Sequence, residues 1–137
     1  MLLLAAIVLA SSNVRAQNPH SAEILPRGQI FETAQQNYAD AVNACDGLGG
    51  FESPAFTSCL QKAAAKADAE VNAAFQDTLR IIVPARRSEM EKVQKAWLAF
   101  YRANCDTEKS LDMAAYYDCI IKMAVERKVE LKHRIGD

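Results

Sequence analysis

The sequence predicts an all-α fold, a four-helix bundle made of two helical hairpins, each closed by a disulfide. Three observations carry that expectation. Apolar residues recur at three- and four-residue steps in four stretches, and nowhere do they alternate with the period of a strand. The four cysteines fall into two pairs of identical spacing, Cys45 with Cys59 and Cys105 with Cys119. The second half of the chain also repeats the first at a constant offset of 60 residues.

That offset aligns far more than sulfur. Cys45-Asp46 falls on Cys105-Asp106, Phe56 on Tyr116, Cys59-Leu60 on Cys119-Ile120, and Lys62 on Lys122. Ala64 then falls on Ala124, Glu70 on Glu130 and Val71 on Leu131. One supersecondary unit is used twice: a helix, a cysteine-bounded loop and a second helix. Four cysteines allow three pairings, and Cys45–Cys59 with Cys105–Cys119 is the one that treats both halves alike. Each bridge closes a loop of about 15 residues, worth about 3 kcal/mol in the chain-entropy picture. Structural zinc usually has ligands paired two to four residues apart, which this spacing does not offer; no metal and no cofactor is expected.

The elements follow in order. Phe31, Ala34, Tyr38, Ala41, Val42 and Cys45 form one apolar stripe on a first helix, and Gly47, Gly49 and Gly50 stop it. Ser53 followed by Pro54 is a cap and first helical position. The second helix carries Leu60, Ala63, Ala64, Ala67, Val71, Phe75 and Leu79, and Pro84 is expected to end it. Ser88 with Glu91 reads as a capping box, opening a third helix with Met90, Val93, Trp97, Phe100 and Tyr101. Ser110 or Asp112 caps a fourth, which carries Tyr116, Cys119, Ile120, Met123, Arg127 and Leu131, with Gly136 beyond it. Short connections make successive helices antiparallel.

Residues 1–16 read as a signal peptide. Leu2 to Ala10 is a short apolar run, and Val14-Arg15-Ala16 places small residues at the −3 and −1 positions of a cut after Ala16. The run is shorter than the roughly 20 residues a membrane span needs. Residues 17–28 then form an N-terminal linker and 29–137 the helical domain, which predicts a periplasmic or secreted protein with no membrane span after cleavage. Half of the 137 residues are hydrophobic, enough for a core. The formal charge of −1, with 16 basic residues against 17 acidic, leaves no nucleic-acid footprint.

No catalytic residues are expected. Paired cysteines cannot act as nucleophiles. His20 lies in a Pro-containing N-terminal segment, and His133 sits between Lys132 and Arg134 near a helix C-terminus, where a cation is favoured. No phosphate-binding glycine loop and no Cys-x-x-Cys is present. The chain therefore reads as a binding protein rather than an enzyme.

The most distinctive stretch runs from Val93 to Cys105. Trp97 and Tyr101 share a helix face one turn apart, and Arg102 is placed to lie over an aromatic ring or to satisfy buried carbonyls. Gln94-x-x-Trp97, Arg102, Cys105, then Cys119-Ile120 followed by Arg127 and Leu131, resembles the lysozyme-inhibitor LprI-type family; so does Cys59-Leu60 with Asp68 and Asn72-x-x-Phe75 upstream. The resemblance covers roughly Cys45 to Leu131. It implies a helical, disulfide-bonded exported domain whose partner is a lysozyme-type muramidase or another envelope protein. It also marks Asp68, Asn72, Gln94, Trp97, Arg102, Arg127 and Leu131 as family positions with structural roles.

The sequence departs from the namesake in lacking a lipoprotein cysteine. An inhibitor of a carboxylate-lined cleft needs a rigid protruding loop, because ordering it beforehand removes an entropic cost of binding. Two loops are candidates. One contains Asp46, Phe51, Glu52 and Ser53, and the other contains Lys109 and Ser110, with Lys109 available to face a cleft carboxylate. The alternative is a periplasmic interaction or scaffolding module with a different partner.

Overall fold

The computed structural model describes residues 26–133. The signal-peptide reading, His20, Arg134, Gly136 and most of the 17–28 linker lie outside the described residues. Within them are four helices, α1 (Arg27–Asn43), α2 (Pro54–Ile81), α3 (Pro84–Asp106) and α4 (Met113–His133), and no strand.

Local chemistry accounts for the boundaries. Asn43 ends α1 ahead of a turn in which Gly47 and Gly49 hold φ at +82° and +100°, a region that favours glycine. At Gly49 a side chain would also meet Ser53 Cβ at 2.9 Å. Ser53 caps α2 by accepting from the Phe56 amide at 3.4 Å, with Pro54 in the first turn. Asp112 is the residue that caps α4, its Oδ1 accepting from the Ala114 amide at 2.9 Å.

The start of α3 corrects two expectations. Pro84 opens α3 rather than closing α2, which stops at Ile81. Ile82 and Val83 between them are extended, with ψ of 152° and 139°. The residue before a proline is driven out of the helical region, whereas a proline at the first helical position gives up an N–H that has no partner anyway. Ser88 consequently sits inside the helix instead of capping it, and no side chain caps α3.

Cross-helix contacts fix an up-down-up-down order. The Tyr38 hydroxyl on α1 donates to Asp118 on α4 at 2.7 Å, and the Tyr101 hydroxyl on α3 donates to Asp68 on α2. Gln94 on α3 meets Arg127 on α4, and Cys105 is bonded to Cys119. Helices α2 and α4 thus run parallel, and Lys128 reaches Glu70 at 2.6 Å. They form the main contact of the bundle. Their facing sides carry Ala64, Ala67 and Ala74 on one helix and Ala114 and Ala124 on the other, all buried, so the backbones approach closely. Leu60, Val71, Ile120, Ile121, Val125 and Leu131 fill the rest of the core.

Helices α1 and α3 flank this pair on narrow faces. Only Ala34 of α1, and Gln94, Tyr101 and Cys105 of α3, are buried along or at the end of them. Phe31, Val93 and Phe100, expected on core-facing stripes, are exposed.

Candidate functional site

Both disulfides form as the repeat requires, Cys45–Cys59 and Cys105–Cys119, with Cα atoms 5.8 and 5.6 Å apart. Because helices alternate in direction, the α1–α2 and α3–α4 loops lie at the same end of the bundle. Phe51 of the first loop borders a recess also lined by Asn104, Glu108, Cys119 and Lys122 of the second unit. The two candidate loops are therefore parts of one surface.

Each loop is held by its own polar contacts. Ser53 Oγ donates to the Leu48 carbonyl at 2.6 Å besides capping α2, and the Phe51 ring packs on Phe56 at 5.3 Å. In the second loop Thr107 Oγ1 donates to the Asn104 carbonyl and Ser110 Oγ to the Thr107 carbonyl. Lys109 is exposed, pairs with Asp106 at 2.7 Å and sits 4.5 Å over the Tyr116 ring; these contacts raise its ammonium pKa, the Asp106 hydrogen bond most. Of the six candidate contact residues, Asp46, Phe51, Glu52, Lys109 and Ser110 face solvent, while Ser53 is half-buried and occupied in holding the loop.

The same end shows apolar residues beside Phe51 that the sequence reading passed over. Leu48 is 44 % exposed and Phe51 51 %, and Leu111 of the second loop and Met113, the first residue of α4, are exposed as well. A leucine inside a polar, glycine-rich loop is itself a signal, since nothing in such a loop can bury it. Asp46, Glu52, Asp106, Glu108 and Asp112 flank these apolar side chains in the sequence, with Lys109 paired to Asp106 among them, so acidic residues outnumber basic ones in the two loops.

The family positions converge elsewhere. Asp68, Asn72, Gln94 and Trp97 line one small recess between α2 and α3, and Arg127 backs it from α4. Arg127 Nε donates to Gln94 Oε1 at 3.0 Å, its Nη1 to Glu130 at 3.1 Å, and its guanidinium lies 5.7 Å from the Trp97 ring. Trp97 stacks on Tyr101 at 4.8 Å. Burial, then the hydrogen bond to Asp68, pushes the Tyr101 hydroxyl far above the ordinary phenol range. Leu131 is buried in the core, whereas Asn72 is exposed. Arg102 is exposed too, and the cation over the aromatic ring is Arg127. The reason is geometric: Arg102 lies five residues beyond Trp97 on the same helix, about 140° around its axis, while α4 delivers Arg127 from the side.

Among the described residues no group of His, Cys, Asp and Glu could hold a metal, and no helix is long and apolar enough to cross a membrane. A family model described as "Lysozyme inhibitor LprI" matches residues 50–131, more than half of the chain. No curated protein and no solved structure matches it.

Proposed function

The chain belongs to the LprI lysozyme-inhibitor family, and from that premise we propose that it is an extracytoplasmic binding protein that inhibits a lysozyme-type muramidase with its disulfide-bonded end. The observation that carries this reading is the convergence of the two cross-linked loops on one surface, with Leu48, Phe51, Leu111 and Met113 exposed there. Apolar anchors presented on an ordered backbone are what a tight interface uses, because little freedom remains to be lost on docking. The surrounding carboxylates suit a basic rim on the partner. Lys109, held over Tyr116, is the cation offered to an acidic cleft. Two disulfides and the family's inhibitory character support a location outside the cytoplasm and a role without turnover.

The test is a muramidase turbidity assay with the oxidised chain beginning at Gln17. Inhibition is expected, and Phe51→Ala together with Leu111→Ala is expected to weaken it by at least about 30-fold, the loss of one interface hot spot. Muramidase activity untouched at high micromolar chain, while envelope extract yields another bound protein, would establish the scaffolding alternative instead.

A further inference from the structure

At the opposite end of the bundle the α2–α3 hairpin carries the sequence Leu79-Arg80-Ile81-Ile82-Val83-Pro84-Ala85-Arg86-Arg87. Ile81 is 65 % exposed and Val83 59 %, and Pro84, Ala85, Arg86 and Arg87 are exposed as well. Three arginines and no acidic residue lie between positions 80 and 87. Asp77, which pairs with Arg80, is a turn back on α2, and Glu89 and Glu91 are further along α3.

We propose that this tip is a membrane-surface contact which seats in the headgroup region of an anionic phospholipid bilayer. Ile81 and Val83 on this exposed turn gain by leaving water for the acyl boundary. Arg80, Arg86 and Arg87 around them set positive charge beside the lipid phosphates, the combination by which surface-seated segments bind. A second copy of the chain fits poorly, since a two-fold contact at this tip sets six guanidinium groups against one another. Seated this way, the disulfide end points away from the bilayer. The inference stands independently of what that end binds.

The experiment is vesicle co-sedimentation of the oxidised chain beginning at Gln17, with phosphatidylglycerol-containing and pure phosphatidylcholine vesicles, alongside a Val83→Trp variant read by fluorescence. Half-binding is expected at about 0.1 mM anionic lipid, in the range of a single weak anchor. It is expected to fall about 100-fold in Arg80→Gln/Arg86→Gln/Arg87→Gln, at about five-fold per charge, and at least about 10-fold in Ile81→Ser/Val83→Ser. The Val83→Trp emission is expected to shift to the blue with anionic vesicles only, and a Phe51→Trp reporter at the far end is not expected to shift. All substituted side chains are exposed, so circular dichroism is expected to match the parent. Absence of binding, equal binding to neutral vesicles, or tip variants that bind like the parent would overturn the proposal. So would a dimer, found by sedimentation equilibrium, that Ile81→Ser abolishes.

Discussion

Gln94 and Arg127 form a pair whose energetics can be worked through from their surroundings. The Arg127 side chain is only 11 % exposed. Its Nε uses Gln94, its Nη1 uses Glu130, and Nη2 is buried with no hydrogen-bond partner. A hydrogen bond to a charged group contributes about 1.5–3 kcal/mol, and stranding the charge costs its desolvation in full. Gln94→Leu removes the acceptor and leaves the guanidinium in place, for an expected loss of about 3 kcal/mol. Arg127→Met fills much the same space and takes away both the charge and the orphaned nitrogen, but it leaves the buried Gln94 amide without this donor, so its expected cost is about 1–3 kcal/mol. The double variant is expected within about 1 kcal/mol of the parent, giving a coupling of about 2 kcal/mol or more. Urea unfolding of the oxidised proteins, followed by far-ultraviolet circular dichroism, measures all four corners. At about 4 °C per kcal/mol, Gln94→Leu also melts about 12 °C lower. A Gln94→Leu cost under about 0.5 kcal/mol, or single effects that simply add, would refute the claim that this glutamine exists to satisfy a buried cation.

Three further outcomes follow from the same structure. Each bridge closes a loop of the same length, with sequence separation 14 in both cases, so Cys45→Ala/Cys59→Ala and Cys105→Ala/Cys119→Ala are each expected to lose about 3 kcal/mol in denaturant titrations; a negligible loss from either contradicts the loop-entropy account. Ala124→Leu, in the closed α2–α4 seam at 0 % exposure, is expected to destabilise by about 1–3 kcal/mol through overpacking, while Ala65→Leu on the exposed face stays within about 0.5 kcal/mol. Burial, then the hydrogen bond to Asp118 and that carboxylate's charge, pushes the Tyr38 hydroxyl up to about 12 from 10.0. The fold favours the protonated phenol, so this contribution is complete below pH 10 and is lost as pH rises through about 12. Phenolate absorbance in the parent and in Tyr38→Phe checks it, and a Tyr38 titrating at its ordinary value contradicts it.

How much of this was legible in the sequence depends on whether the cause is local. Cysteine spacing, the 60-residue offset, the Ser53 cap and the glycine stop are local patterns, and each has its structural counterpart. The roles of Pro84 and Ser88 were misread because a proline is compatible with both ends of a gap between helices. Only the two-residue connection, too short to leave Ser88 as a cap, separates these readings. Arg102 differs for another reason. The sequence offers it to an aromatic ring or to buried carbonyls, but on one helix only residues three or four apart face each other, and the cation over Trp97, Arg127, arrives from another helix thirty residues away in the chain. The Tyr38–Asp118 and Tyr101–Asp68 ties are equally non-local.

The exposed Phe31, Val93 and Phe100 have the same origin as the form of the disulfide-bonded end. In an up-down bundle α2 and α4 are diagonal partners, and ordinarily a core of larger side chains keeps them apart. Here alanines let that diagonal close, which uses the centre of the bundle and leaves α1 and α3 with narrow contacts on its sides. A flanking helix with so little apolar contact needs other fastening. For α1 it comes from Cys45–Cys59 beyond its C-terminal end and from the Tyr38–Asp118 bond two turns earlier. For α3 it comes from Cys105–Cys119 at its end, the Tyr101–Asp68 bond one turn earlier and the Gln94–Arg127 bond at mid-helix. In both units the disulfide and the tyrosine bond lie toward the same end, which is where the two loops meet. Order is thereby concentrated where the exposed apolar side chains stand, so the narrow flanking contacts and the cross-linked loop end both follow from the small-residue diagonal.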